Sequence, residues 1–267
     1  MQFENRQPAD GINAPPEHPL KEFTQLLIAV GLTCVALVAL LTYIAGQLAH
    51  HIPFRYEQDM VANISWLEPQ QNSSEQQRLQ AILDQVVVNM GLPNDMQITV
   101  HYSDDTTVNA FATLGGHIVM FKGLLDQLPN EQAIAAVLAH EIAHVKLRHP
   151  IVAAGRGFTL LTLGAVISGS SSSTAGQWLI GSSTNLQLMQ FSRKQELAAD
   201  RLAAEAMLAT YGSIDGLLAV FDLFTTLEAD SAFTALDVEA LRSHPYSHKR
   251  RRAIEKIAPS SKRSQQH

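Results

Sequence analysis

Leu26 to Ala45 (LLIAVGLTCVALVALLTYIA) is a run of 20 residues with no ionisable side chain apart from the neutral Cys34 and Tyr43. A helix needs about 20 such residues to cross ~30 Å of hydrocarbon. The run therefore predicts a transmembrane helix, with the rest of the chain folding beside a bilayer. It also accounts for the composition, in which 46% of residues are hydrophobic and only 16% charged, against roughly 25% charged in an ordinary soluble domain. Tyr43 lies where its hydroxyl reaches the headgroups, and Lys21 and Glu22 mark the other border. A cleaved signal peptide would have a short basic leader and an apolar stretch of roughly 7–15 residues. Here the leader carries Glu4, Asp10, Glu17 and Glu22 against Arg6 and Lys21, and Gln47-Leu48-Ala49 is a poor cleavage site. The expectation is an uncleaved anchor over residues 23–48, in contact with lipid through residues 26–45. Arg6 and Lys21 precede the span and Arg55 follows it, so the positive-inside rule predicts the N-terminus inside and the bulk of the chain outside.

The rest of the 267-residue chain divides by pattern. Residues 1–22, with Pro8, Pro15, Pro16 and Pro19, read as a flexible polar tail. Residues 49–74, ending in Gln70, Gln71, Asn72, Ser73 and Ser74, read as a linker. Leu79, Ile82, Leu83, Val86 and Val87 form a helical stripe within Glu75–Met90, stopped by Gly91. Met96–Tyr102 alternates like a strand, and Val108–Ala112 and His117–Phe121 flank Gly115-Gly116 as a hairpin or bulged edge. Asn130 is placed to cap a helix carrying Ile134, Val137, Leu138, Ile142 and Val145, which Pro150 ends. Phe158–Ile167 is apolar but too short to span, Ser168–Gly176 is a connector, and helices follow over about Asn185–Leu208 and Ser213–Leu227. Lys249, Arg250, Arg251, Arg252, Lys256, Lys262 and Arg263 read either as a solvated basic helix end or as a patch attracted to anionic headgroups, with residues 259–267 a basic polar tail. The fold class expected is α+β, mainly helical, with a small β-sheet and one N-terminal transmembrane helix. A net charge of −6 argues against a nucleic-acid partner. Cys34 is the single cysteine, so neither a disulfide framework nor a thiolate cluster is available, and any metal must be held by His, Asp or Glu.

Chemistry concentrates at His140-Glu141-Ile142-Ala143-His144. Positions i and i+4 share a helix face, so the two imidazoles can reach a single zinc ion, while Glu141, turned about 100° away, stands where a general base belongs. A catalytic zinc needs a third protein ligand. The metzincin spacing would put glycine at 147 and histidine at 150, but Leu147 and Pro150 stand there. His149 falls on another face and reads as a helix-end histidine. Glu196 and Asp200, again at i and i+4, remain open to two readings. Glu196 could ligate while Asp200 orients a ligand histidine, or the two could form a solvated acidic face offset by Arg193, Lys194 and Arg201.

Four stretches carry a resemblance: Asn109-Ala110-Phe111-Ala112 with Gly115-Gly116-His117-Ile118-Val119, then LAHEIAHVKLRH, then SRKQELAADRLA, then Ser243-His244-Pro245. In this order the chain resembles the zinc metallopeptidase family of the HtpX-type heat-shock proteases and CAAX prenyl endopeptidases (metallopeptidase family forty-eight), over about residues 75–257. The resemblance implies a zincin-like domain over residues 75–258 holding one Zn2+ on His140, His144 and Glu196. It implies Glu141 as base, Asp200 behind the ligands, and His244 and Asn109 holding substrate or oxyanion. It further implies an extended protein or peptide substrate, met at Gly116 and His117 by the strand His117–Phe121. With one anchor rather than several spans, the chain departs from the integral members. The function expected is a membrane-anchored endopeptidase in protein quality control, single-pass in a bacterial inner membrane with its domain on the periplasmic side. A tethered chaperone or scaffold with a structural zinc is the alternative.

Overall fold

The computed structural model describes residues 18–62, 64, 73–157, 191–229, 244 and 248–257. Helix α1, Pro19–Ala49, spans 31 residues. Leu26, Leu27, Ile28, Val30, Leu32 and Val35 are all more than half exposed along it. By length and composition it is able to cross a membrane. By compactness the chain divides between Leu41 and Thr42, and everything below belongs to the second unit.

The stretch expected as a linker contains a helix, α2, Phe54–Val61. Phe54, Glu57 and Val61 recur at helical spacing and are buried, a stripe too short to stand out from the polar residues around it. The stripe supports the Leu114–Gly116 turn. At Gly115 (φ +72°) a Cβ would sit 2.7 Å from Val61 Cγ2, and at Gly116 (φ +83°) it would sit 2.1 Å from the Gln97 carbonyl oxygen. Both positions therefore demand glycine, for conformation and for close approach.

Helix α3, Ser74–Val87, is capped by Ser73, which accepts from the Gln76 N–H, and buries Leu79, Ile82, Leu83 and Val86 as expected. Strands β1 (Thr99–Ser103), β2 (Ala110–Ala112) and β3 (His117–Phe121) form a sheet ordered β1-β3-β2. β2 and β3 make the expected antiparallel hairpin, with Ala110 opposite Met120. β1 joins β3 in parallel, Thr99 opposite His117. This corrects the expectation that His117–Phe121 lends an edge to substrate, because β3 is the middle strand and its backbone is paired on both sides. The outer side of β1 is also engaged, since the Gln76 amide donates to Val100 O (2.6 Å) and accepts from Tyr102 N–H (2.7 Å).

After the short α4, Lys122–Leu125, comes the helix that organises the unit, α5, Glu131–Lys146. Asn130 caps it as expected, accepting from Ala133 N–H at 2.9 Å. Every residue from Ala133 to Val145 is buried. A helix apolar on all sides belongs in a core, and α5 packs against α3, β2, α7 (Arg193–Tyr211) and α8 (Asp215–Ala229). Proline does not end α5. The helix stops at Lys146, Arg148 turns the chain at φ +63°, and Pro150 lies in the first turn of α6, residues 149–157, where its missing N–H costs nothing. Ser192 and Gln195 form a reciprocal capping box that starts α7. Helix α9, His248–Glu255, packs on α7. The expected segments Phe158–Ile167 and Ser168–Gly176, and the 185–190 start of the expected third helix, lie outside the described residues.

Candidate metal centre

Helix α5 presents His140 and His144 one turn apart, their Nε2 atoms 3.0 Å from each other. Helix α7 brings Glu196 against them, with Oε2 3.5 Å from His140 Nε2 and Oε1 3.6 Å from His144 Nε2. The sequence left Glu196 between ligand and solvated face; it is buried and directed at the histidines. His244, on the segment before α9, adds Nδ1 at 3.0 Å from Glu196 Oε1 and 3.3 Å from His140 Nε2. One ligand atom from each of these four residues falls within a sphere where all lie within 4.8 Å of one another. Donors 2.0–2.2 Å from a tetrahedral cation are about 3.3–3.6 Å apart, so these spacings fit a metal ion. The donor chemistry, nitrogen and carboxylate oxygen, fits as well.

Behind the donors stand the groups that hold them. Asp200 Oδ1 lies 3.1 Å from His140 Nδ1, the far nitrogen of that ring. Its carboxylate is in turn gripped by Arg250 of α9 through Nε (2.7 Å) and a second guanidinium nitrogen (2.8 Å). The same guanidinium reaches Glu196 Oε2 at 2.8 Å and donates to the His244 carbonyl oxygen at 3.3 Å. The basic run predicts a solvated or headgroup-facing Arg250; instead it is buried, at 6% exposure. The signal was available, because Arg250 and Ile254 are four residues apart and both face inward. His149 is a second correction. Its Nδ1 lies 3.0 Å from His144 Nδ1, so it meets that ring rather than another face. The turn at Arg148 swings it back.

The electrostatics follow from burial and these carboxylates. Burial opposes charge on His140, but Asp200 and Glu196 outweigh it and lift its pKa to about 10. Burial, and then the neighbouring His140, hold His144 well below the usual imidazole range. Burial also lowers His149, to about 4. Glu196 resists burial through His244 and His140 and stays far below the carboxylate range. Asp200 is lowered in spite of burial by Arg250 and His140. The site thus favours positive charge at one imidazole of the pair and carries two ionised carboxylates, the environment a cation requires.

Glu141 is 2% exposed; its Oε1 is 3.6 Å from His244 Nε2, and its Oε2 has no hydrogen-bond partner among the described residues. Beside it opens a mainly apolar pocket lined by Ala110, Val137, Leu217, Val220, Phe221 and Phe224, with His140, Glu141 and His244 at its polar end. Asn109 precedes β2 and is fully buried, and neither its amide nitrogen nor its oxygen has a partner among the described residues. Gly116 and His117 do not line this pocket. Gly116 packs on Gln97, and His117 Nδ1 lies 2.8 Å from His101 Nε2.

A model of Peptidase family M48 matches residues 73–258. Among curated relatives, the mitochondrial metalloendopeptidase OMA1 of Schizosaccharomyces pombe is 30% identical over 182 residues, 67% of this chain and 52% of its own length. The beta-barrel assembly-enhancing protease of Escherichia coli is 26% identical over 148 residues, 47% of this chain and 29% of its own length. The metalloprotease YcaL of Escherichia coli is 27% identical over 158 residues, 58% of this chain and 60% of its own length. The chain thus spans between about a third and three fifths of these relatives. The family match contains the whole donor cluster, from His140 to His244, and Arg250 behind it. The chain belongs to peptidase family M48.

Proposed function

We propose that the protein is a membrane-anchored zinc endopeptidase that cleaves extended segments of unfolded or membrane-associated proteins. The observation that carries this reading is the donor cluster of His140, His144 and Glu196 with Glu141 beside it at the polar end of an apolar pocket. A zinc ion held by these donors would supply Lewis acidity that makes water a nucleophile near neutral pH. Glu141 is placed to accept a proton from a water attacking a peptide carbonyl and to return it to the leaving amine. Its unpartnered Oε2 is the atom available for this work. His244, with Nε2 also unpartnered and facing Glu141, holds the carbonyl oxygen as charge grows on it. Asp200 accepts from His140 and fixes which nitrogen of that ring points at the ion. Asn109, buried beside β2 with both amide atoms unpartnered among the described residues, stays in the reading as a substrate contact, whereas Gly116 and His117, which pack on Gln97 and His101 away from the pocket lining, leave it. For backbone pairing the better strand is β2. No strand pairs its outer side among the described residues, and Ala110 lines the pocket. Strand pairing selects extended backbone rather than a sequence, which suits quality control, and of the relatives one is named as mitochondrial and one for beta-barrel assembly. Helix α1 is the anchor, in a bacterial inner membrane with the domain on the periplasmic side.

A second reading is favoured by His244. Four protein donors would close a tetrahedral site, as in structural zinc centres, and the protein would then be a tethered chaperone or scaffold. Glu141→Gln separates the two. The endopeptidase reading expects casein cleavage by the full chain to fall about 10²–10⁴-fold with metal content unchanged. Wild-type protein that holds zinc but cleaves nothing, with or without chelator, would establish the structural reading instead.

A further inference from the structure

We propose that His149 is a positioning residue for the metal site, its Nδ1 accepting the Nδ1–H of His144 and so fixing the nitrogen with which His144 meets the ion. This rests on the reading of His140, His144 and Glu196 as metal donors.

The argument starts from the asymmetry of the two ligand histidines. Each has one nitrogen in the donor cluster and one behind it. For His140 the rear nitrogen meets Asp200 at 3.1 Å, an acceptor that stabilises a proton there. For His144 the nitrogen in the cluster is Nε2, and the rear one is Nδ1. A neutral imidazole that binds metal through Nε2 must carry its proton on Nδ1 and needs an acceptor for it. Among the described residues the polar atom the structure gives His144 Nδ1 is His149 Nδ1, at 3.0 Å. Two rings cannot both donate into one contact, so the proton order is set: His144 Nδ1–H donates, His149 Nδ1 accepts, and His149 keeps its own proton on Nε2. Phe191 stacks on His144 at 4.1 Å between centroids and closes the other side of the ring, while His144 itself is fully buried. Water therefore has little room to replace His149.

The backbone is arranged to put His149 there. The residue before it, Arg148, occupies φ +63°, a conformation L side chains rarely adopt. What holds it is α2. Arg148 forms an ion pair with the buried Glu57 at 2.8 Å, lies over the Phe54 ring at 5.3 Å, and donates to the Ile52 carbonyl oxygen. The helix just after the anchor thereby grips the α5–α6 corner that carries His149.

The test uses the full chain in detergent, loaded with zinc or cobalt(II). His149→Ala should raise the rate of metal loss to a competing chelator by about 10–100-fold and change the cobalt visible spectrum. His149→Asn puts an amide oxygen near the place of Nδ1 and should restore retention to within about threefold; His149→Gln puts it near Nε2 and should not. Retention by the alanine variant equal to wild type, with an unchanged cobalt spectrum, would overturn the proposal. If the alanine variant fails to fold, the other two decide: asparagine retaining metal better than glutamine supports the proposal, and equal retention overturns it. Wild-type protein that binds neither metal stoichiometrically would instead sink the metal reading beneath it.

Discussion

The residues that sequence made legible are those whose partners lie within one helical turn. His140, Glu141 and His144 are separated by one and four positions, and Glu196 and Asp200 by four, so periodicity alone sets their directions. That α7 faces its carboxylates into α5, and not into water, depends on tertiary contact; the family resemblance supplied it, and residue type did not. Arg250 and His149 were misread for the same reason. Arg250 lies 50 residues from Asp200, in a run of four basic residues where one inward side chain is hidden by three outward ones. His149 is displaced by a left-handed turn at an arginine, which no local pattern announces. Two expectations follow at this scale. Glu196→Ala should lower metal occupancy, measured by elemental analysis of chelator-washed protein, and full occupancy would remove Glu196 from the donor set. Arg250→Met should leave the Asp200 carboxylate buried without its charge partner, at a cost of about 3–5 kcal/mol in unfolding. The pH dependence has a defined sign. Asp200 titrates lower in the folded chain than when unfolded, so its contribution is complete above the unfolded value of about 3.9 and is lost as pH falls through the folded one. An Arg250→Met variant as stable as wild type at neutral pH, by denaturant unfolding, would reject this.

Among elements, α3, α5 and the β2–β3 hairpin are legible because each combines a clear period with an end signal: Gly91 as the stop after α3, Asn130 as the cap of α5, Gly115-Gly116 as the turn. The order of the sheet was not readable. Alternation says that a segment is a strand, while which neighbour it takes is decided by a crossover from β1 that leaves no mark in the strand itself. That is why β3 was taken for an edge. Helix α2 was missed because eight residues with three inward positions give too little pattern, and its burial is created by the turn it supports. Gly116→Ala tests that coupling between elements. The new Cβ would meet the Gln97 carbonyl at 2.1 Å in a backbone conformation that disfavours it, so the strand entry must shift. Unfolding should become easier by more than about 1 kcal/mol. A neutral substitution, by thermal denaturation of the detergent-solubilised chain, would mean the turn is free to move.

At the scale of the whole molecule, on the proposed anchoring by α1, one quantity decides which proteins the site meets: the side of the membrane on which Thr42–His267 folds. The charge signal is narrow, Arg6 and Lys21 before the span against Arg55 after it. Acidic residues in the leader carry little weight in this rule. Arg6 and Lys21 are the cations on that side of α1 in this sequence, and on the proposed orientation keeping them inside is the charge term that acts on it. A C-terminal alkaline phosphatase fusion, active only outside the cytoplasm, should therefore be active in a bacterial host, and a green fluorescent protein fusion at the same point should be dark. Replacing Arg6 and Lys21 together with glutamine removes that term, and a measurable share of molecules should invert, read as the fall in phosphatase activity per molecule. Adding two lysines immediately after Ala49 should invert more. A bright fluorescent fusion and a silent phosphatase in the unaltered chain would put the domain in the cytoplasm, where the candidate substrates become unfolded cytosolic and membrane proteins and the hydrolytic chemistry proposed for His140, Glu141, His144 and Glu196 is unaffected.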